Sequence, residues 1–349
     1  MAIAQARPRV VVVGLGSIGR RHARLLSARG DLQVEWCESS AAVLSQAASE
    51  LGVPARVHGD FEAAIASQPT MIVVATPHEV HAPQAIAALN AGIHVLCEKP
   101  LSDTLSAATA IVAAAARSAA VLTVGFQLHF HPVFRRVKDL LAGGELGSLH
   151  HLHAHIGTYV TLVNSRSRYQ ADLAGALFMD YAHQPDLFFH LSGERPEGVY
   201  TAAGLGGTRP LRSNPNFAVV LCDYARPFIS SLSLNYLQFP ERHVYEIVGD
   251  RAWLTIDLPS GSLRMGSSAT NSVATESFST DRDLLYQAEH QAFLDAIDGK
   301  RPPESPAADA LVSMQAIDAA IRSWRCGARV PLVEARADAA RDKPVVPSG

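Results

Sequence analysis

Glu98-Lys99-Pro100 follows a short apolar run, Ile93 to Leu96, of strand length, which places a carboxylate and an amine at the strand's end. In an open parallel sheet, ligands bind beyond the carboxyl ends of the strands. Upstream, Val10 to Val13 runs directly into Gly14-Leu15-Gly16-Ser17-Ile18-Gly19, a glycine pattern set between strand and helix. Gly14 permits a tight turn, Gly16 lets backbone approach a pyrophosphate, and Gly19 allows the helix to pack closely on the strand. The helix that follows, about Ile18 to Ala28, offers the N–H groups at its start, around Ser17 and Ile18, to phosphate oxygens. With a nicotinamide dinucleotide on that loop, the Lys99 amine is placed to handle the proton of a substrate alcohol. An exposed strand-end lysine is the competing reading.

A second strand, Leu32 to Cys37, ends on Glu38. A carboxylate there accepts hydrogen bonds from an adenosine ribose and repels a 2′-phosphate, which selects NAD over NADP. Arg20 and Arg21 keep NADP possible, because either could meet a phosphate. An ordinary surface glutamate is the bland alternative for Glu38.

The elements that position these groups alternate. Helices are expected over Ala41 to Leu51, Phe61 to Ala66 and Glu79 to Asn90, the last stopped by Gly92. Met71 to Ala75 and Val121 to Gly125 read as strands, and Ser102 as the cap of a helix reaching about Ser118. Strand-helix alternation of this kind implies a doubly wound parallel sheet, an α/β Rossmann domain over residues 1–125.

Three strings in order carry a family likeness: Gly14-Leu-Gly-Ser-Ile-Gly-Arg-Arg-His22, Thr76-Pro77-x-x-x-His81, and Ala91-Gly-Ile-His-Val-Leu-Cys-Glu-Lys-Pro100. Together they resemble the glucose-fructose oxidoreductase/inositol dehydrogenase/rhizopine catabolism family (Gfo/Idh/MocA) over nearly the whole chain. The resemblance implies a second α/β domain, residues 126–349, with a large, open, mostly antiparallel sheet that binds substrate and pairs copies as a homodimer or homotetramer. It implies that Lys99 lies between substrate and nicotinamide, and that Gln127 lies beside the nicotinamide ribose. It places Thr76, Pro77, His78, His81 and Glu98 on the cofactor side, although many relatives have asparagine where this chain has His78.

The second constellation is Gly175-Ala-Leu-Phe-Met-Asp180-Tyr-Ala-His183-Gln-Pro-Asp186. Relatives usually show Asp, His four later, and Asp three after that. Here Asp180 precedes His183 by three residues, a spacing that still shares a helix face, so Asp180 is expected to orient His183 or touch substrate. His183 is the preferred acid/base residue, since a neutral imidazole accepts an alcohol proton at physiological pH. Pro185 would cost roughly 3 kcal/mol in a helix interior, so the helix is expected to begin near Gln184 or to kink. Asp186 reads as structural. His129 and His131, just after the Val121–Gly125 strand, are expected substrate contacts, as are Tyr159, Arg166 and Arg168 in a later loop.

Period-two alternation marks the second sheet: Leu232, Leu234 and Tyr236 oppose Ser231, Ser233 and Asn235, and Val244 to Val248 joins Trp253 to Ile256 across Gly249-Asp250. His151, His153 and His155 share one strand face, a spacing that can bind metal. No carboxylate or cysteine is arranged with them, so an interface-facing stripe is the better account and no metal is expected. Pro132 to Ala142 reads as a helix closed by Gly143-Gly144, a last helix begins at Ser305-Pro306 and ends near Gly327, and the chain from Ala339 reads as loosely held.

A formal net charge of −3 gives no electrostatic reason to expect nucleic acid or an anionic membrane. The four cysteines, Cys37, Cys97, Cys222 and Cys326, are scattered, with neither a zinc spacing nor a disulfide framework. The first nine residues lack the apolar core of a secretory signal, and Ala107 to Val124 is interrupted by Arg117 and Ser118. A cytoplasmic protein is expected.

The leading expectation is an NAD(P)-dependent oxidoreductase acting on a secondary hydroxyl of a sugar, cyclitol or sugar derivative. The resemblance leaves two others open. An NAD-dependent glycoside hydrolase would release sugar without net NADH, and a non-catalytic dinucleotide-binding regulator would not need Lys99 and His183.

Overall fold

The computed structural model describes residues 7–164, 169–208 and 212–332. The expectations for Arg166, for Arg168 as a substrate contact, and for the chain beyond Ala339 fall outside the described residues.

The first layer opens with β1 (Arg9–Val13), α1 (Ser17–Ser27), β2 (Gln33–Cys37), α2 (Ala41–Leu51), β3 (Val57–His58) and α3 (Phe61–Ala66). It continues with β4 (Met71–Val74), α4 (His81–Asn90), β5 (His94–Glu98), α5 (Leu105–Arg117) and β6 (Leu122–Gly125). The six strands pair in parallel, in the order β3-β2-β1-β4-β5-β6. Chain order reverses between β1 and β4, and a crevice at such a switch point is where this architecture binds ligands. The strands are buried on both faces, which is why they read as continuous Val and Ile runs rather than alternating ones. Several boundaries move by one or two residues, and two bear on the site. β5 extends to Glu98, so the carboxylate is the last strand residue. The cap of α5 is Thr104, whose hydroxyl accepts from the Ala107 N–H, while the Ser102 hydroxyl donates to Asp103.

The second layer begins with α6 (Pro132–Ala142) and β7 (Leu149–Gly157). Four short helices follow: α7 (Val160–Asn164), α8 (Tyr169–Asp172), α9 (Ala176–Asp180) and α10 (His183–Ser192). The strands β8 (Gly198–Gly204), β9 (Phe217–Asp223), β10 (Ile229–Asn235), β11 (Arg242–Gly249), β12 (Ala252–Asp257), β13 (Ser262–Ser267) and β14 (Ser272–Ser277) come next. The chain then forms α11 (Arg282–Ile297), α12 (Ala307–Cys326) and β15 (Val330–Pro331). Nine strands form one sheet, ordered β14-β13-β12-β11-β7-β10-β9-β8-β15, antiparallel except where β10 pairs with β7.

One face of this sheet is core. Leu232 and Leu234 of β10 pack there with Leu152, Ala154 and Ile156 of β7 and with Tyr245 and Ile247 of β11. The opposite face carries Tyr200, Leu221, Ser231, His153 and Glu246 in one cross-strand row, flanked by Phe217, Val219 and Val248. The expected histidine stripe is on that face. Ser231 Oγ sits between His151 Nε2 (3.0 Å) and His153 Nδ1 (2.9 Å), which share it, and His155 Nε2 lies 2.6 Å from Gln238 Oε1, so each ring has a polar side-chain partner. Cys37, Cys97, Cys222 and Cys326 are free thiols. No described helix is long and apolar enough to cross a membrane.

Two late helices close the molecule onto the first layer: α11 packs on α1, and α12 packs on α5 and β8. The carboxyl edge of the parallel sheet therefore faces a cleft whose other walls come from residues 127–290.

Candidate active site

The glycine loop has the shape its sequence required. Gly14 sits at φ +84°, and a Cβ there would meet the Ala75 carbonyl at 2.9 Å. A Cβ on Gly19 would lie 1.8 Å from the Gly14 carbonyl, so α1 rests directly on the turn. A Cβ on Gly16 would meet nothing within 4 Å, and α1 starts with neither a side-chain cap nor an acidic residue in its first turn. Open space in front of uncapped helix N–H groups fits a pyrophosphate.

Glu38 does a job that sequence spacing did not reveal. Its Oε2 accepts the Leu15 N–H at 2.9 Å and its Oε1 the Ser40 N–H at 2.8 Å, so the carboxylate ties the glycine loop to the start of α2. The two arginines that kept NADP open are engaged elsewhere. Arg20 donates to the Leu15 carbonyl and pairs with Glu50, and Arg21 pairs with Asp283.

Around β4 and β5, His81 is a brace. Its Nδ1 lies 3.0 Å from the Pro100 carbonyl and its Nε2 2.9 Å from the Thr76 carbonyl, joining the Thr76-Pro77 loop to the segment after Lys99. Thr76 donates to Gln84, Pro77 is exposed, and the His78 ring meets Tyr169 edge-on at 5.1 Å. The Glu98 carboxylate turns toward His22 Nε2 (2.9 Å) and its own neighbour's N–H on Lys99 (3.2 Å). Gly125 is the residue this requires, since a Cβ there would press on that carboxylate at 3.1–3.2 Å.

A cavity of about 550 Å³ joins the two layers, its walls including Ile18, Glu98, Lys99, Gln127, Asp180 and His183. Lys99 Nζ donates to the Asp180 backbone carbonyl at 3.1 Å. Gln127 is buried beside the cavity, with no partner for its Oε1 among the described residues. His183 likewise leaves Nδ1 without a partner among them.

Asp180 and His183 do not share a helix. α9 ends at Asp180 and α10 starts at His183, with Tyr181 and Ala182 between. The Asp180 carboxylate turns away, accepting from the Tyr236 hydroxyl and from Gln170 Nε2 (3.2 Å), so it does not orient His183. As expected of Pro185, α10 begins beside Gln184, at His183, and carries the proline in its first turn. Pro185 is the third helical residue, where a backbone N–H has no intrahelical acceptor to lose.

Electrostatics separate the three groups. Burial pushes the Asp180 carboxyl up to about 6, against the pull of Lys99. Burial, then the Lys99 charge, holds His183 well below the ordinary imidazole value, so it is neutral at physiological pH. Burial also pushes His131 and His243, both on the cavity wall, down to about 4. The result is one lysine facing neutral imidazoles and a carboxyl near its titration point.

Two expected substrate contacts stand elsewhere. His129 is buried behind the wall, its Nε2 2.6 Å from Asp186 Oδ2 and its Nδ1 2.9 Å from Ser305 Oγ. Tyr159 is buried in the hydrophobic core, off the cavity wall. Asp186 is structural, as expected. Conversely, Tyr236, His243 and Arg282 belong to the site's surroundings and were not singled out. His243 had a signal, because it occupies the apolar register of β11 with Tyr245 and Ile247, and its Nε2 lies 2.7 Å from the Tyr245 hydroxyl.

Comparison with known proteins follows the same two-layer division. The family GFO_IDH_MocA, "Oxidoreductase family, NAD-binding Rossmann fold", matches residues 8–126, and the "GFO/IDH/MocA C-terminal domain" matches residues 134–255. A D-xylose 1-dehydrogenase (NADP(+)) from Haloferax volcanii is 27% identical over 295 residues, covering 82% of this chain and 88% of the relative. An inositol 2-dehydrogenase from Salmonella paratyphi B is 23% identical over 324 residues, covering 90% and 94%. An oxidoreductase from Agrobacterium radiobacter, solved with NAD+, L-tartaric acid and magnesium, superposes with a TM-score of 0.84 at 17% identity, covering 94% of this chain and 99% of that one. With a glycine-loop cradle in one matched domain and a covered antiparallel sheet in the other, the chain belongs to the GFO/IDH/MocA oxidoreductase family, as an NAD(P)-dependent dehydrogenase acting on CH–OH groups.

Proposed function

We propose that this enzyme moves hydride between NAD and a secondary hydroxyl of a sugar, cyclitol or sugar derivative, with Lys99 and His183 handling the proton. The observation that carries the reading is the cavity in which Lys99, at the edge of the parallel sheet, meets Asp180 and His183 from α9 and α10. Xylose and inositol dehydrogenases among the relatives support a polyhydroxylated substrate.

Residues 1–125 hold the dinucleotide and residues 126–349 shape the substrate side. Gly14 and Gly16 admit the pyrophosphate against the N–H groups of Ser17 and Ile18. Glu38 meets the adenosine ribose, with NAD preferred because Arg20 and Arg21 are committed to other partners. Thr76, Pro77, His78 and Gln127 line the path toward the nicotinamide, and His81 and Glu98 hold that path in place. When bound, the nicotinamide supplies the hydride acceptor.

The chain's own residues do the rest. Lys99 donates a hydrogen bond to the reacting oxygen and stabilises the negative charge that builds there as the O–H proton leaves. His183, neutral in its buried position, accepts that proton. Asp180, through its carbonyl and its charge, keeps the Lys99 ammonium aimed into the cavity. The same groups run the reverse reduction, with His183 returning the proton. Copies of the chain associate through the open sheet face around Tyr200, Phe217, Val219 and Leu221, each more than 40% exposed.

A panel of sugars, cyclitols and sugar acids with NAD and with NADP, read by absorbance of the reduced cofactor, tests this directly. Turnover of a polyhydroxylated alcohol with NAD is the expected result. Faster turnover with NADP overturns the part assigned to Glu38, and absence of reduced cofactor across the panel overturns the substrate class.

A further inference from the structure

Behind Lys99, with Glu98 reaching the cavity wall, four ionisable side chains from three elements meet in the interior. His22 comes from α1, Glu98 from β5, and Glu289 and His290 from α11; none is more than 7% exposed. His22 Nε2 lies 2.9 Å from Glu98 Oε1, and His22 Nδ1 lies 2.7 Å from His290 Nε2. Glu289 is fully buried, and neither of its oxygens has a hydrogen-bond partner among the described residues. One nitrogen of His22, one oxygen of Glu98 and one oxygen of Glu289 lie within 4.8 Å of one another.

A buried carboxylate is costly unless it is paired, hydrogen-bonded or bound to metal. Glu289 has none of the first two, and a second carboxylate is beside it. Arg21 lies across the Tyr286 ring and pairs with Asp283 instead. With its proton on Nε2, His22 donates to Glu98; with its proton on Nδ1, donated to His290 Nε2, the Nε2 lone pair is free and faces the two carboxylates, so that a cation seated against all three has a ligand whose outer partner is already in place.

We propose that His22, Glu98 and Glu289 form a divalent-cation site that clamps α11 to the parallel sheet directly behind Lys99. One imidazole and two carboxylates suit Zn²⁺ or Mn²⁺, with solvent or a second carboxylate oxygen completing the shell. The site is structural. It holds Glu98, whose other oxygen accepts the Lys99 N–H, and so fixes the strand end that carries the lysine.

The other grouping of possible ligands, His129, His190 and Glu304, lacks this geometry. Its two rings stack at 3.6 Å, so their in-plane lone pairs run side by side, and Asp186 and Ser305 already occupy both His129 nitrogens.

The test uses the full chain without cofactor, stripped with EDTA and then dialysed against Zn²⁺, Mn²⁺ or Co²⁺. Expected are one retained ion per chain by elemental analysis, a melting temperature that rises with the ion, and a Co²⁺ visible absorption band that added Zn²⁺ removes. Glu289→Gln keeps the shape but loses a charged ligand. It should weaken ion binding by more than the roughly 10- to 100-fold that loss of an outer partner costs, and should abolish the ion's effect on melting. A shared proton between Glu98 and Glu289 is the rival explanation. It is established, and the cation site overturned, if the wild-type chain retains no ion and melts identically with and without metal, whether Glu289→Gln matches it or melts higher. If that variant does not fold, the Co²⁺ band and its displacement in the wild-type chain decide alone.

Discussion

Lys99 and Asp180, one at the end of β5 and the other at the end of α9, are joined by a 3.1 Å hydrogen bond from the Lys99 ammonium to the Asp180 backbone carbonyl. The contact crosses the cleft between the two sheets. An ammonium donates three hydrogen bonds. One spent on a main-chain carbonyl leaves the others directed into the cavity, and a carbonyl acceptor, unlike a carboxylate, does not itself move with pH.

Removing that amine tests its role. Lys99→Met should lower kcat by about 10²- to 10⁴-fold, the range of a positioned proton-handling group, while NAD affinity changes little. Initial rates together with calorimetric NAD titration separate the two. Near-normal kcat would return Lys99 to an exposed strand-end lysine.

The acid limb of activity should belong to Asp180 rather than His183. The Asp180 carboxyl titrates near 6, whereas His183 loses its proton well below the ordinary imidazole value. The rate of alcohol oxidation should therefore fall as pH drops through about 6, where Asp180 ceases to support the Lys99 charge. In Asp180→Asn the limb should vanish and the overall rate should be lower. Stability should move the other way. A carboxyl whose folded value is raised favours folding only while protonated, so its ionisation penalises the wild type increasingly from about pH 4 to 6. The melting temperature of Asp180→Asn relative to wild type should be higher at pH 8 than at pH 4.

Cofactor choice should rest on Glu38. Glu38→Ala removes a charged acceptor from two backbone N–H groups of the loop as well as from the ribose. At about 1.5–3 kcal/mol for a hydrogen bond to a charged group, NAD affinity should fall roughly 10- to 150-fold. NADP affinity should fall less, because a charge repelling its 2′-phosphate goes too. Equal losses for both cofactors, by titration, would confine Glu38 to holding the loop.

His129 should prove structural. His129→Ala leaves the buried Asp186 carboxyl without its hydrogen-bond partner, a change that costs about 1–3 kcal/mol. A large drop in denaturation midpoint with KM nearly unchanged is expected. A raised KM at unaltered stability would restore His129 to the substrate.

Most of the first layer was legible because its causes are local. The Val10–Val13 run and the three glycines are read from neighbours within one β-α unit, and each does there what its chemistry demands, whereas the tie that Glu38 makes between the glycine loop and α2 was not legible. The exact caps of Lys99's neighbourhood were less so: Thr104 rather than Ser102 caps α5, since only the backbone path decides which hydroxyl meets a free N–H.

The site beyond Lys99 was set by packing between distant segments. Spacing alone put Asp180 and His183 on one helix face, but the chain breaks at Tyr181-Ala182, and Tyr236 from β10 takes the Asp180 carboxylate instead. His129 looked available because it lies just after a strand. The partners that enclose it, Asp186 and Ser305, are 57 and 176 residues away. The sequence by itself determined the dinucleotide loop, the parallel sheet and the lysine at its edge, because hydrogen bonding and side-chain shape act there over a few residues. Only the tertiary structure decided which polar groups face the cavity and which are spent holding it, because burial and pairing are set by whichever segments the fold brings together.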